Sequence, residues 1–465
     1  MARTASLAVE LRSGFTGQLL EPDDVGYEEA RKLWNGLIDR RPALIARCTT
    51  EDDVAAAVNF GRERDLLIAV KGGGHNVTGN AMCDGGLVID FSLMRHAEVD
   101  VGQRLVRVEA GALLGDVDAA TQVYGLATPT GFNSTTGIAG LTLGGGIGHL
   151  MRKHGLTIDN LVAAEVVTAA GERVRASEGQ NPDLFWGLRG GGGNFGVVTS
   201  FTFRLHEVGP QLLSGLILYR AEKAREVLRF YQDFVDGAPE ELGTILNLRH
   251  APPAPFIPQE LHGKPIVGVI ACYCGPIDDG DRVLRPLREF GPADAYLVEP
   301  RDFVDFQAMF NATVPHGWSY YWKSHYLTPL GEAAIDVIAS HAWAMRSPRS
   351  YSLAAHLGGA VARVADDATA FTGRDAAYAI SSVGAWTPEQ GEVANDTSWV
   401  RGFFEAIEPY STGGVYINFV GNEGQDRVRS AYGDAKYKQL AELKEKWDPE
   451  NLFRLNQNIE PAHSS

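Results

Sequence analysis

Six glycines fall between Gly137 and Gly148, inside the stretch Thr136 to Asn160 that reads Thr-Gly-Ile-Ala-Gly-Leu-Thr-Leu-Gly-Gly-Gly-Ile-Gly-His-Leu-Met-Arg-Lys-His-Gly-Leu-Thr-Ile-Asp-Asn. Each glycine costs about 1 kcal/mol against alanine in a helix interior, so this stretch does not read as a normal helix. It reads as backbone brought close to something. Two more glycine-rich stretches share the first two hundred residues. Lys71 to Gly79 (Lys-Gly-Gly-Gly-His-Asn-Val-Thr-Gly) follows the apolar run Leu66 to Val70, so its glycines arrive where a short strand ends and the chain must turn. Asp183 to Thr199 carries four consecutive glycines, Gly190 to Gly193, and feeds a further strand. Successive glycines let peptide N–H groups converge on an anion such as a pyrophosphate, and the imidazole of His75 adds a nucleophilic nitrogen or a base.

The chain has 465 residues, 45% of them apolar, enough for one large or two medium cores. A net charge of -16 with no Lys/Arg cluster argues against a nucleic-acid partner. Cys48, Cys83, Cys272 and Cys274 lack the spacing of a disulfide framework or a zinc site and read as reduced core thiols; no metal is expected. No apolar run approaches a membrane span, and the first residues show neither an apolar signal core nor a twin arginine, so a soluble, cytoplasmic protein is expected. Nothing in the sequence specifies an oligomeric state.

Along the chain, Ala43 to Arg47, Leu66 to Val70, Leu87 to Phe91, Leu105 to Ala110, Leu161 to Ala169, Arg173 to Ala176 and Val197 to Leu205 read as strands. Helices are expected from Thr50, with its cap and acidic first turn, from Leu113 to Tyr124, and from Pro182 to Leu188. Beyond Gly209-Pro210 the glycine runs cease and a domain boundary is expected. Strands are expected at Leu212 to Tyr219, Thr244 to Leu248, Pro265 to Tyr273, Trp318 to Tyr326, Ser352 to Val364, Ala376 to Gly384 and Val415 to Val420. Helices between them, at Ala221 to Val235, Gly331 to Met345 and Asn395 to Ile407, suggest an antiparallel sheet backed by helices on one face, the other being free for a ligand. A helix from Asp426 to Trp447 ends at Asp448-Pro449.

The three glycine stretches, with Thr128-Pro-Thr-Gly131 before the second, resemble the FAD-binding segments of the berberine-bridge-enzyme-like flavoproteins, a branch of the vanillyl-alcohol-oxidase fold. Tyr416-Ile-Asn-Phe, Tyr432-Gly, Tyr437, Trp447-Asp-Pro-Glu-Asn-Leu-Phe and Asn456-Gln-Asn-Ile are similar to that family's C-terminal signature in order and spacing. The resemblance implies an α+β, two-domain PCMH-type FAD-binding fold: residues 1–209 for FAD, 210–411 for the substrate on a large antiparallel sheet, and 412–465 returning to the FAD domain.

It also implies roles for individual residues. Lys71, Gly72, Gly73, Gly74, His75, Asn76, Gly79, Thr130, Thr136, Gly137, Gly140, Gly144, Gly145, Gly148, Gly196, Val198, Asn456 and Asn458 are expected around FAD, with Asn458 equally suited to capping the turn after Phe453. His75 is expected to be bonded to the flavin. Many relatives add a second bond from a cysteine in Gly-x-Cys, but here the motif is Gly131-Phe-Asn133, which implies attachment through one bond. Tyr416 is expected beside the flavin as a phenol of lowered pKa that takes a proton from a substrate hydroxyl or amine as hydride leaves; alternatively it packs between domains. Tyr321, Lys323 and His325 share one face of a strand and can present polar tips to a site, or form a solvated edge. Arg374 reads as structural. The resemblance thus implies an FAD-linked oxidase acting on a small molecule, with O2 as second substrate. A dehydrogenase of the same fold and a flavin-retaining binding protein are the rivals. A nicotinamide-dependent Rossmann dehydrogenase is the weakest rival, since no Gly-x-Gly-x-x-Gly opens a helix after the first strand.

Overall fold

The computed structural model describes residues 6–421 and 423–462. Met1 to Ala5, which carry part of the N-terminal reading above, lie outside the described residues. Three sheets of four or more strands organise the described residues. The first has strands in the order Gln18–Leu20, Leu44–Arg47, Leu87–Asp90 and Ile68–Lys71; the last three are parallel. Its crossover is the helix Glu51–Glu63, which starts where Thr50 accepts from Asp53 N and the Asp53 carboxylate returns to the Thr50 backbone N–H. The parallel strands end at Lys71, and the chain turns there into Gly72 to Gly74.

The second sheet is antiparallel, in the order Ala97–Asp100, Leu105–Glu109, Val197–Arg204, Leu161–Val167 and Arg173–Ser177. Its apolar faces and those of the first sheet meet in one core, through Val58, Ile89, Val106, Val108, Phe201 and Phe203. The C-terminal segment joins this same core: Leu440, Leu443, Phe453 and Ile459 pack with Phe185, Leu188 and Phe195. Lys444 locks the joint, donating to Asp448 Oδ2 at 2.5 Å, Asn194 O at 2.8 Å and Phe453 O at 3.0 Å with no solvent exposure.

The third sheet is antiparallel throughout, in the order Ala295–Tyr296, Gln211–Arg220, Pro265–Tyr273, Leu242–His250, Tyr351–His356, Tyr378–Trp386 and Ser319–Leu327, with Glu299–Asp302 added beside Gln211–Arg220. The helices Ala224–Asp236, Ile277–Glu289, Glu332–His341 and Thr397–Ile407 cover one face through residues such as Leu228, Leu284, Ile338 and Phe403. The other face turns its Ile245, Ile270, Ala355 and Ala379 toward Ile147, Leu150 and Tyr416 of the first half and the C-terminal segment. This is the expected α+β arrangement, with helices on one side of a large antiparallel sheet.

Some expectations need correction. Val415 to Val420 is no strand: the chain bends at Tyr416 into a single turn, Ile417–Phe419, and finds no strand to pair with. The strand expected to reach Val364 stops at His356, because Gly358 and Gly359 (φ 86° and 58°) turn the chain into the short helix Ala360–Arg363. Within the second glycine stretch a six-residue helix forms, Ile138–Leu143, before Gly145 and Gly146 take positive φ. Helix Ile277–Glu289 was not expected, its apolar positions being few and Pro286 lying inside it. The helix Gln425–Trp447 breaks at Gly433, whose φ of 71° and ψ of 157° are not helical. No helix among the described residues is long and apolar enough to cross a membrane.

Candidate active site

Two glycine loops touch through their backbones. A Cβ on Gly73 or on Gly137 would fall inside the other's main chain, so only glycine at both allows the approach. Beside this contact lies a cleft of about 350 Å³, partly open to solvent, between the loops and the bare face of the third sheet. That volume falls within the roughly 300–1,000 Å³ of small-molecule and cofactor sites. Gly72, Gly73, Gly74, His75, Asn76, Thr136, Gly137, Gly140, Gly196, Val198, Tyr416 and Asn456 line it. A side chain at Gly140 would meet nothing within 4 Å, so its absence widens the cleft itself. Among the described residues, none accepts from the backbone N–H of Gly73, Gly74, His75 or Asn76. These are donors suited to an anion.

His75 stands at the wall, its ring stacked on Trp34 at 5.1 Å and edge-on to His316 at 5.3 Å. Burial, helped by His316, pushes its pKa down to about 3, so the imidazole is neutral at pH 7. Its Nε2 lies 3.2 Å from Thr135 Oγ1. Thr135 gives its hydroxyl proton to Asn133 Oδ1 at 2.8 Å, and the same oxygen accepts from Thr135 N.

Tyr416 is 2% exposed. Its hydroxyl oxygen accepts from Gly146 N at 2.9 Å and from Asn418 Nδ2 at 2.8 Å. Burial raises its pKa above the usual 10.0, and the Asn418, Gly146 and Ile147 donors offset part of the rise. The lowered pKa expected from the sequence is therefore corrected: in this setting the desolvation exceeds the hydrogen bonds.

Other expected residues sit elsewhere. Tyr321 and Lys323 lie on the helix-covered face of their strand, away from the cleft. The Tyr321 hydroxyl accepts from Arg401 Nε at 3.0 Å, and Lys323 pairs with Glu423 over the Phe404 ring. His325 stacks on that ring too. Period-two alternation separated the faces, but the pleat sends Trp322, on the opposite face, to the cleft. Lys71 is held by Ala30 O at 2.6 Å and stands 3.4 Å from Asp90. Gly79 packs on Ile38, Thr130 accepts from Gln307 at 3.0 Å, and Asn458 is outside the cleft wall. Gly144, Gly145 and Gly148 press against Asn418, Phe371 and the Thr130 carbonyl, so they serve contacts between protein segments. Arg374 binds Asp159 through both guanidinium ends, at 2.7 and 3.1 Å, as a structural clamp.

Sequence reasoning missed Trp34, His149, Asn247, Arg249, Tyr351 and Ser381, which also line the cleft. The alternation Ile245, Asn247, Arg249 against Leu246, Leu248 was readable, but a polar face toward a cleft looks like one toward solvent.

Two family models match the chain: the FAD binding domain over residues 42–177 and the berberine and berberine-like model over residues 415–460. An FAD-linked oxidoreductase of Dictyostelium discoideum is 33% identical over 94% of this chain and 93% of its own. The chain belongs to the berberine-bridge-like FAD-linked oxidoreductases. Among solved structures, this oxidoreductase is similar to 6-hydroxy-D-nicotine oxidase from Arthrobacter nicotinovorans, with a TM-score of 0.86, 28% identity and coverage of 96% of this chain and 98% of that one. It shares its fold with a glucooligosaccharide oxidase from Acremonium strictum (TM-score 0.86, 24% identity, 98% and 99% covered), which is described as carrying 6-S-cysteinyl, 8α-N1-histidyl FAD. The residues of the cleft fit FAD: four of those lining it have backbone N–H groups without an acceptor, and Gly140 leaves room in its wall.

Proposed function

We propose that this oxidoreductase is an oxidase. It removes hydride from a carbon bearing a hydroxyl or amine of a small molecule, and O2 receives the electrons to give H2O2. When bound, FAD supplies the hydride acceptor. Gly72 to Asn76, Thr136, Gly137, Gly140, Gly196, Val198 and Asn456 would hold it, and His75 would be bonded to it.

The observation that carries the reading is the Tyr416 hydroxyl, buried in the cleft wall with two N–H groups on its oxygen. As hydride leaves the substrate carbon, the proton on its heteroatom moves to Tyr416 Oη. The substrate becomes a carbonyl or imine, so charge does not accumulate on it. The phenol first loses its own proton to water at the open side of the cleft, and Gly146 N–H with Asn418 Nδ2–H stabilises the phenolate. Phe132, Ile147, Ile245 and Leu353 keep the reacting centre poor in water.

His75 enters as a neutral nucleophile. Since Thr135 spends its proton on Asn133, it accepts from Nε2–H of His75, which leaves the lone pair on Nδ1. Asn133 offers no sulfur, and the four cysteines are buried away from the cleft. The attachment is therefore a single bond.

The test is anaerobic mixing of the yellow protein with a panel of alcohols and amines, followed by admission of air. Bleaching at the flavin's visible band, then return of colour with peroxide, supports the oxidase. Bleaching reversed only by an artificial dye would make it a dehydrogenase. A flavin that no compound bleaches would make it a binding protein.

A further inference from the structure

Arg249 lies on the floor of the cleft, 8% exposed, and its guanidinium makes no hydrogen bond or ion pair with any described residue. The other buried arginines among the described residues have acceptors for their terminal nitrogens, although their Nε atoms, like that of Arg249, have none. Arg152 donates to the carbonyls of Leu242, Pro239 and Ala238, and Arg374 donates to Asp159, Val361 O and Thr369. A buried guanidinium with no acceptor is costly, and here the Tyr351 ring, 5.4 Å from its carbon, gives it a cation–π contact.

Its neighbours share the deficit. Asn247 Oδ1, Ser381 Oγ and Trp322 Nε1 are buried polar atoms without a partner, and all three residues line the same cleft. Strand register groups them. Arg249 pairs with Tyr351, Tyr351 with Val383, and Val383 with Trp322; one step along, Asn247 pairs with Leu353 and Leu353 with Ser381. Neighbouring strands are about 4.8 Å apart and alternate residues about 7 Å, so the four polar tips belong to one patch of sheet. No aspartate or glutamate lines the cleft among the described residues, and Arg249 is its one permanent cation.

We infer that the substrate carries a carboxylate, which the guanidinium fork of Arg249 binds in two parallel hydrogen bonds. Planar bidentate pairing of arginine with a carboxylate is the interaction that this unpartnered fork suits. The Ser381 hydroxyl, the Trp322 N–H and the Asn247 amide supply further contacts to the polar groups around it. The inference rests on the oxidase reading and narrows it: a cationic amine without an acid group is repelled, and a hydroxy acid is preferred.

Binding tests this without turnover. The holoenzyme is titrated with benzoate and with benzamide, two probes of equal shape that differ in charge, and binding is read from the flavin's visible spectrum and by calorimetry. Benzoate is expected to bind at least about 30-fold tighter than benzamide. Arg249→Met, which keeps an apolar stem in a buried site, should remove that preference and leave benzamide affinity unchanged; Arg249→Lys should retain only part of it. The inference is overturned if wild-type enzyme fails to prefer benzoate, if Arg249→Met leaves the preference intact, or if the resting flavin spectrum and content change in Arg249→Met, which would make the arginine a cofactor contact. Failure of the oxidase reading shows separately, as a flavin that no alcohol or amine bleaches whether or not benzoate binds.

Discussion

Thr135 Oγ1 lies 3.2 Å from His75 Nε2, and its own proton is committed to Asn133 Oδ1. This fixes which imidazole nitrogen is free to react, and Asn133 does it from the position where many relatives place a second flavin ligand. Colour is expected to stay with the polypeptide after acid precipitation, and a peptide map should show flavin on His75 through Nδ1 and on no cysteine. His75→Ala should release all flavin on denaturation. Thr135→Val, which removes the acceptor, should slow attachment in apoprotein given FAD. Flavin found on a cysteine peptide, or retained by His75→Ala, contradicts the assignment.

Asp118 is buried between the two halves of the molecule, where Gln307 Nε2 donates to it at 3.1 Å. Burial raises its pKa from 3.8 to about 7. A raised pKa means that the folded protein holds a proton the unfolded chain has lost. The favourable contribution is complete below pH 3.8 and disappears as pH rises through about 7. Asp118→Asn should therefore gain stability relative to wild type as pH goes from 4 to 8, measured by thermal melting at each pH. A difference independent of pH would show that Asp118 titrates normally.

The buried pair of Lys444 and Asp448 predicts a non-additive cycle. Lys444→Met leaves Asp448 charged with only the Leu452 and Phe453 N–H groups on it, and should cost about 3–5 kcal/mol in denaturant unfolding. Adding Asp448→Asn removes the stranded charge and should recover part of that loss. Equal stability of the single and double variants would mean that the pair is not electrostatically coupled in the core.

Much of the fold was legible because its signals are local. Thr50 with Asp53, the strand Pro265–Tyr273 and the glycine stops all follow from short-range chemistry. What escaped depends on distant partners. Tyr416 sits in a strand-like run, but without a neighbouring strand the chain turned instead. Tyr321 and Trp322 are adjacent in sequence, and only the stacking of helices Ala224–Asp236, Glu332–His341 and Thr397–Ile407 decides which of them faces the cleft. Arg249 carried no motif; its meaning lies in the acceptors it lacks. The glycine runs announced close approach without telling a cofactor from a neighbouring segment, and Gly140 and Gly145 fall on opposite sides of that distinction.

The measurement that tests the account most directly is flavin reduction in Tyr416→Phe under anaerobic stopped flow across pH. The substitution keeps the ring against Phe371 and Phe419 and removes the oxygen held by Gly146 and Asn418. Reduction is expected to slow about a hundred- to ten-thousandfold, with flavin content unchanged. Because burial raises the phenol's pKa above 10.0, the wild-type rate should climb with pH without a plateau below that value, and the variant should lose the climb. An unchanged rate in Tyr416→Phe, or a wild-type plateau near neutral pH that survives in the variant, would place the proton acceptor on another residue.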